Sequence, residues 1–384
     1  MRNFSLGLFI GALAVTLIFY LVFPSDDSVN EQQAHALDKN LLARNLREQG
    51  ELSPVTTELT KLQRAYIDAD SIKMADDRSR HQEAALRKWA TENGNNAAEW
   101  VNANRGGTVR SDALVLIAEC WALSDPLAAG EWFLENTSGH TQEAALWEVV
   151  EEWAKVDAKK SLEFAMNIKG SLQNSVIAAA APGLTNFDLD LALDTGLNLA
   201  EKGNVDFLVA AVSEWSKGNP SEAFEWTKSL PEKSLKSLIA TYIGDNWGKS
   251  NPESASNYFQ SLTSRDDLVG AARFGLSLGW AENDPASALT WVIENISDDR
   301  MRMQSIRSIV PTWIETDPMG ASSWLVAQDS SNSMDQVFIS AAEELFATAP
   351  MAARKCIAMV ADDDLRNKVL ADYEEDIQLL HESE

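Results

Sequence analysis

The sequence predicts an all-α protein, an α-solenoid of about nine helical hairpins of 31–33 residues, preceded by a single transmembrane helix. Three observations lead to this fold class. A stretch near the N-terminus lacks charged residues, tryptophan recurs at a nearly constant spacing, and an Asp-Pro or Asn-Pro pair follows most of these tryptophans. No stretch has the alternation typical of a β-strand.

The apolar stretch runs from Phe4 to Phe23, which is long enough to cross a bilayer as a helix. It closes without the small residues of a cleavage site, so we interpret residues 1–24 as an uncleaved signal anchor. Arg2 precedes the stretch, and acidic residues follow it. This charge order predicts a single-pass protein of a bacterial inner membrane with its repeats in the periplasm.

Gly7 and Gly11 form a GxxxG pair within this predicted anchor. Such a pair lets two membrane helices approach closely. Gly7 and Gly11 are therefore candidates for a homodimer contact through the anchor, although a lone GxxxG pair is a weak signal. Residues 25–88 follow as a linker with two helices, Glu31–Gln49 and Thr56–Asp70, which form either a stalk or an N-terminal cap.

The repeats occupy residues 89–361. We call their most regular position the tryptophan column, and it comprises Trp89, Trp121, Trp153, Leu184, Trp215, Trp247, Trp280, Trp313 and Leu345. Eight residues later comes a small-residue column of Ala97, Ala129, Ser161, Ala192, Ala223, Ala255, Ala288, Ala321 and Ala353. Eleven residues later comes an aromatic column of Trp100, Trp132, Phe164, Thr195, Trp226, Tyr258, Trp291, Trp324 and Cys356.

The Asp-Pro and Asn-Pro pairs lie between the tryptophan and small-residue columns. An Asp or Asn before Pro is typical of a helix N-cap with proline in the first turn. Each repeat is therefore predicted to be a first helix that begins at the proline and a second helix that ends just past the tryptophan column. Small residues let helices pack closely, and one hairpin cannot bury such a face alone, so the hairpins must stack.

The interval from Pro126 to Trp132, repeated from Pro285 to Trp291, resembles that of tetratricopeptide repeats. The resemblance covers residues 89 to about 357. The Leu-Gly-x-x-Tyr part of that motif is absent, the closing tryptophan is foreign to it, and the repeat is shorter. The resemblance implies a right-handed superhelix that binds proteins or peptides. Residues 362–384 are predicted to form an acidic capping helix, because the last repeat lacks a neighbour.

A net charge of −26 excludes partners that bind through phosphate neutralisation, so we expect no nucleic acid. Gly275-Leu-Ser277-Leu-Gly279 matches a hydrolase nucleophile elbow but lies within a predicted helix, where its glycines favour close packing. Asp188, Asp190 and Asp194 lack the glycine and glutamate of a calcium loop. We therefore predict no catalytic residue, no cofactor and no metal.

Ten residues after the tryptophan column lies an acidic column in five consecutive repeats. At about 100° per residue it points roughly 130° from the packed face, so we expect it to be exposed. It comprises Glu99, Glu131, Glu163, Asp194 and Glu225. One interpretation is solubilising charge, and the other is a groove for a basic segment of a partner protein.

Together these features predict a membrane-anchored, extracytoplasmic scaffold for protein–protein interaction in the cell envelope. The alternative is an enzyme or accessory subunit that acts on or binds an envelope polysaccharide or peptidoglycan. The scaffold is favoured because most aromatic residues fall at predicted core positions and no acid-base pair accompanies them.

Overall fold

A computed structural model describes residues 54–262 and 267–383, with side chains for residues 61–262 and 267–375. Nearly all of this part of the chain is helical, and it contains no β-strand. The prediction of an all-helical, repeat-like fold is confirmed. The chain divides into two compact units, Met1–Glu92 and Asn93–Glu384.

The described part of the first unit contains α1 (Pro54–Asp68), a short 3-10 helix (Ala69–Ser71) and the start of α2 (Ala75–Asn104). Tyr66 packs on Trp89 with ring centroids 6.4 Å apart, and both side chains are buried. The predicted helix Glu31–Gln49 lies outside the described residues.

The described part of the second unit holds nine helical repeats, which we number 1 to 9 along the chain. Its helices are the remainder of α2, then α3 (Gly107–Ala122), α4 (Pro126–Asn136), α5 (Gly139–Asn167), α6 (Ser171–Val176), a 3-10 turn (Ile177–Ala180), α7 (Ala181–Phe187), α8 (Leu189–Ala200), α9 (Asp206–Gly218), α10 (Pro220–Thr227), α11 (Lys233–Ser250), α12 (Pro252–Ser261), α13 (Asp267–Ala281), α14 (Pro285–Asn295), α15 (Asp299–Thr316), α16 (Pro318–Val326), α17 (Asp335–Leu345), α18 (Pro350–Ala358) and α19 (Asp363–Ser383).

A single break residue opens every repeat, four positions after the tryptophan column. All nine have φ between −158° and −134° and ψ between 61° and 94°, so the helix stops there and a new one starts. In seven repeats the side chain caps the new helix by accepting a backbone N–H three residues on, at 2.9–3.2 Å. The break residues of repeats 1 to 9 are Asn93, Asp125, Asp157, Asp188, Asn219, Asn251, Asp284, Asp317 and Ala349.

The packing columns agree with the sequence prediction. All nine members of the small-residue column are 0% exposed. Seven members of the tryptophan column are buried, and Trp215 and Trp280 are half-buried. Tryptophan-column rings contact the aromatic column across the break in six repeats, with centroids 5.2–6.4 Å apart. These ring pairs hold the two helices that flank each break at a fixed angle.

Second helices of successive repeats contact one another along the second unit. The contact between α11 and α13 is the closest, because backbone packs directly on backbone. A Cβ added to any of four glycines would overlap a carbonyl oxygen of the facing helix, and these are Gly244, Gly248, Gly275 and Gly279. The prediction that the glycines around Ser277 permit close helix packing is confirmed.

The predicted architecture is corrected on one point. The described residues contain no helix that combines the length and the apolar character needed to cross a bilayer, and the longest helices, α2 and α5, carry charged residues throughout. The segment 1–24, with Gly7 and Gly11, lies outside the described residues. For the described part of the chain, the fold class is thus an all-helical repeat array without a membrane-spanning helix, and the predicted inner-membrane and periplasmic localisation is not supported.

Candidate protein-binding face

The acidic column lies on the first helices of repeats 1 to 5, and all five carboxylates are exposed. The residue four positions earlier lies one turn away on the same side of each first helix. We call the exposed surface formed by these two positions, six and ten residues after the tryptophan column, the first-helix face. The first-helix face changes in chemistry from repeat 1 to repeat 9.

The five acids differ in what they contact. Glu99 accepts a hydrogen bond from Nδ2 of Asn95 at 3.1 Å. The carboxylates of Glu131, Glu163 and Asp194 contact no cation and accept no hydrogen bond from the described residues. Three successive repeats therefore present carboxylates that are open to a ligand.

Glu225 already binds a cation of its own chain. The Nζ of Lys228 donates to both carboxylate oxygens at 2.7 Å and lies 5.7 Å from the ring centroid of Phe224. The hydroxyl of Tyr258 also donates to Glu225, at 2.9 Å. The hydrogen bond from Lys228 is the main reason that the pKa of Glu225 is lowered. Burial, with the bond to Glu225, raises the pKa of Tyr258 to about 12.

An aromatic residue directly follows four of the five carboxylates in the chain, and Thr195 follows Asp194. Rings of the aromatic column pack on the first helix of the preceding repeat: the ring centroid of Tyr258 lies 6.0 Å from that of Phe224, and Nε1 of Trp291 donates to Oγ of Ser256 at 2.6 Å. Most members of this column are half-buried rather than buried. Because six of the seven aromatic members are half-buried, the expectation that most aromatic residues fall at core positions is met only in part.

The cation at repeat 5 has no counterpart in the preceding repeats. Lys228 stands thirteen residues after the tryptophan column, and the same position in repeats 1 to 4 holds Asn102, Leu134, Met166 and Leu197. Repeat 5 thus holds an ammonium group between a carboxylate and the ring of Phe224, whose position is occupied by Gly130, Leu162 and Leu193 in repeats 2 to 4. In repeats 2 to 4 no ammonium group of the described residues contacts the carboxylate; Lys159 of repeat 3 lies one turn before Glu163, but its Nζ lies 5.0 Å from the ring centroid of Phe187.

The acidic column ends at repeat 5, and Glu253 of repeat 6 is the last acid on the first-helix face. The position ten residues after the tryptophan column is then occupied by Asn257, Thr290, Ser323 and Lys355. In repeats 8 and 9 a cavity opens between α16 and α18. The sequence analysis missed this cavity, because no residue pattern reports the distance between two neighbouring helices.

The other candidate groups have structural roles. Ser277 is 0% exposed and its hydroxyl hydrogen-bonds to the carbonyl of Phe274 at 2.7 Å and to Oγ of Ser305 at 3.0 Å. Asp188 caps α8, as its register predicts. Cys120 and Cys356 are buried, and burial raises the pKa of Cys356 to about 11. Within the described residues, no three His, Cys, Asp or Glu side chains are grouped to hold a metal ion.

The sequence analysis also missed a second position that is buried in all nine first helices. It lies twelve residues after the tryptophan column, next to the aromatic column, and holds Val101, Phe133, Ala165, Gly196, Thr227, Phe259, Val292, Leu325 and Ile357. All nine are buried. The mixture of small, large and polar residues hid this column from a search for one residue type.

Buried Arg273 illustrates a further structural role. Its Nη2 donates to the carbonyl oxygen of Phe259 at 2.6 Å near the end of α12, and burial lowers the pKa of this guanidinium. A cation at this place stabilises the carbonyl groups at a helix C-terminus.

Comparisons with protein-family models, curated proteins and solved structures gave no match to this chain.

Proposed function

We propose that this protein is a scaffold for protein–protein interaction, and that the acidic column binds a lysine-rich or arginine-rich segment of a partner protein. The contact of Lys228 with Glu225 and Phe224 carries the proposal. It is an example, within the chain, of an ammonium group held by a column carboxylate beside a ring.

Repeats 2 to 4 supply the binding positions. Glu131, Glu163 and Asp194 are exposed and unpaired within the described residues, and they are one repeat apart. Half-buried Trp132 and Phe164 directly follow Glu131 and Glu163 in the chain, so we propose that a cation bound in these two repeats gains a cation–π contact as well as a charge contact. An exposed ion pair contributes about 0.2–1 kcal/mol, so binding requires several repeats acting together.

The test is a titration of the full-length protein with an oligolysine peptide at low salt, followed by calorimetry. The variant Glu131→Gln with Glu163→Gln and Asp194→Asn should bind about tenfold more weakly, because three ion pairs are lost. The difference should shrink as salt is added, since exposed charges are screened over about 8 Å at physiological ionic strength.

A matched control removes the same charge elsewhere. Glu201, Glu315 and Glu343 are exposed and lie outside the acidic column, so their replacement by Gln changes the net charge equally. If both triple variants lose affinity to the same extent, the peptide responds to net charge alone, and the proposal is refuted.

A further inference from the structure

The cavity between α16 and α18 has a volume of ≈ 190 Å³. An apolar cavity of about 150 Å³ accommodates a benzene molecule, so this volume is large enough for one large side chain. Its walls are mostly apolar and include Val326, Ala349, Pro350 and Ala352. A cavity of this kind favours an apolar occupant over water.

Two methionines stand at the cavity's edge in equivalent positions of successive repeats. Met319 is 59% exposed and Met351 is 70% exposed. Large exposed apolar side chains that flank a groove are typical of binding surfaces. Methionine is flexible and polarisable, so a pair of them adapts to the shape of an inserted side chain.

The single charged residue that lines the cavity is a cation. Lys355 lines the cavity at the position that the acidic column holds in repeats 1 to 5, and the other polar lining residues are Ser322 and Ser323. No carboxylate lines the cavity. Lys355 forms no ion pair within the described residues, whereas the neighbouring Arg354 binds Glu374 at 3.0 Å.

We propose that this cavity docks a segment of a partner protein in which a large apolar side chain stands next to a carboxylate. The apolar side chain enters between Met319 and Met351, and the carboxylate pairs with Lys355. The site lies on the same first-helix face as the acidic column but selects the opposite charge. It therefore goes beyond the proposed function and is independent of whether the acidic column binds a basic segment.

The methionine methyl groups provide a direct readout. Full-length protein labelled with carbon-13 at these methyls is followed by NMR, and the signals of Met319 and Met351 are assigned with the single variants Met319→Leu and Met351→Leu. Three peptides of equal length are titrated, which carry Leu-Glu, Ser-Glu or Leu-Gln in a Gly-Ser background.

The expected result is a saturable shift of the Met319 and Met351 signals with the Leu-Glu peptide. The Ser-Glu peptide should bind at least about tenfold more weakly, because it buries no large apolar side chain. The Leu-Gln peptide should bind about two- to fivefold more weakly, which is the size of one exposed ion pair. Lys355→Gln should abolish the difference between the Leu-Glu and Leu-Gln peptides.

The control variant is Lys368→Gln, which removes an exposed lysine that does not line the cavity. It should leave the preference for Leu-Glu unchanged. Equal shifts with all three peptides, or no shift at millimolar concentration, overturn the proposal. Methyl signals that move when the protein alone is diluted show that a second copy occupies the cavity, and this result also overturns it.

Discussion

The two helices of one repeat differ in what they contact. The second helices contact their neighbours in succession, and in α11 and α13 they approach until glycine faces backbone. The first helices bury one side and leave the first-helix face exposed, where acids, ring edges and a methionine-lined cavity follow one another. The comparison indicates that the second helices and the buried sides of the first helices set stability, whereas the first-helix face is free to vary in chemistry.

The largest effect is expected where α13 packs on α11. In Gly275→Ala the new methyl group would overlap the carbonyl oxygen of Thr241. Unlike a side chain, a backbone carbonyl within a helix cannot relieve the overlap by changing rotamer. We expect a loss of about 3 kcal/mol in the free energy of unfolding. Urea unfolding followed by circular dichroism measures it.

Gly218→Ala is the matched control, because nothing lies within 4 Å of the position that the new Cβ would take and the residue is exposed. It should be neutral or slightly stabilising, since alanine is the better helix former. Equal unfolding midpoints for the two variants would show that α11 and α13 are not packed backbone on backbone.

The break residues should have an effect of intermediate size. Asp284 accepts the backbone N–H of Ser287 at 3.0 Å, whereas Ala349 has no side chain that caps α18. Asp284→Ala should destabilise by about 1 kcal/mol, and Ala349→Asp should stabilise by about the same amount. Thermal unfolding of both variants tests the pair, and a loss of stability in Ala349→Asp would contradict this account of the break.

A smaller effect should appear in acid. Hydrogen bonds from Ser287 lower the pKa of Asp284 below its usual value. A carboxyl with a lowered folded-state pKa stabilises the fold above its unfolded-state pKa of about 3.9, and this contribution is lost as the pH falls through the folded-state value. Asp284→Asn caps without titrating, so its stability relative to the parent should improve between about pH 5 and pH 2. A constant difference over that range would exclude the carboxylate as the cause.

The smallest effect on stability is expected on the first-helix face. Glu131→Gln with Glu163→Gln and Asp194→Asn removes exposed carboxylates that have no contacts within the described residues, so the unfolding midpoint should stay within about 0.5 kcal/mol of the parent. Circular dichroism in urea measures this. A larger loss would mean that these acids stabilise the repeats. It would contradict the conclusion that the first-helix face contributes little to stability.

The sequence by itself determined the repeat and its local geometry. The break residues, the small-residue column and the exposure of the acidic column follow from helix capping and from the 3.6-residue period, which depend only on residues close in the chain. Even repeats without the Asp-Pro pair, such as the one that opens at Asp157, break at the same position. The aromatic column was only partly anticipated, because its burial depends on the preceding repeat.

Tertiary structure decided how near successive repeats come to one another, and the functional surfaces depend on that distance. The glycines of α11 and α13 indicate close helix packing only once the structure shows that the two helices face each other. Tyr258 reaches Glu225 because first helices of neighbouring repeats lie side by side. The cavity beside Lys355 exists because α16 and α18 leave a gap between them. Each of these distances depends on the packing of many side chains at once. Capping signals and periodicity therefore determine the hairpin, whereas the spacing between hairpins is known only from the folded structure.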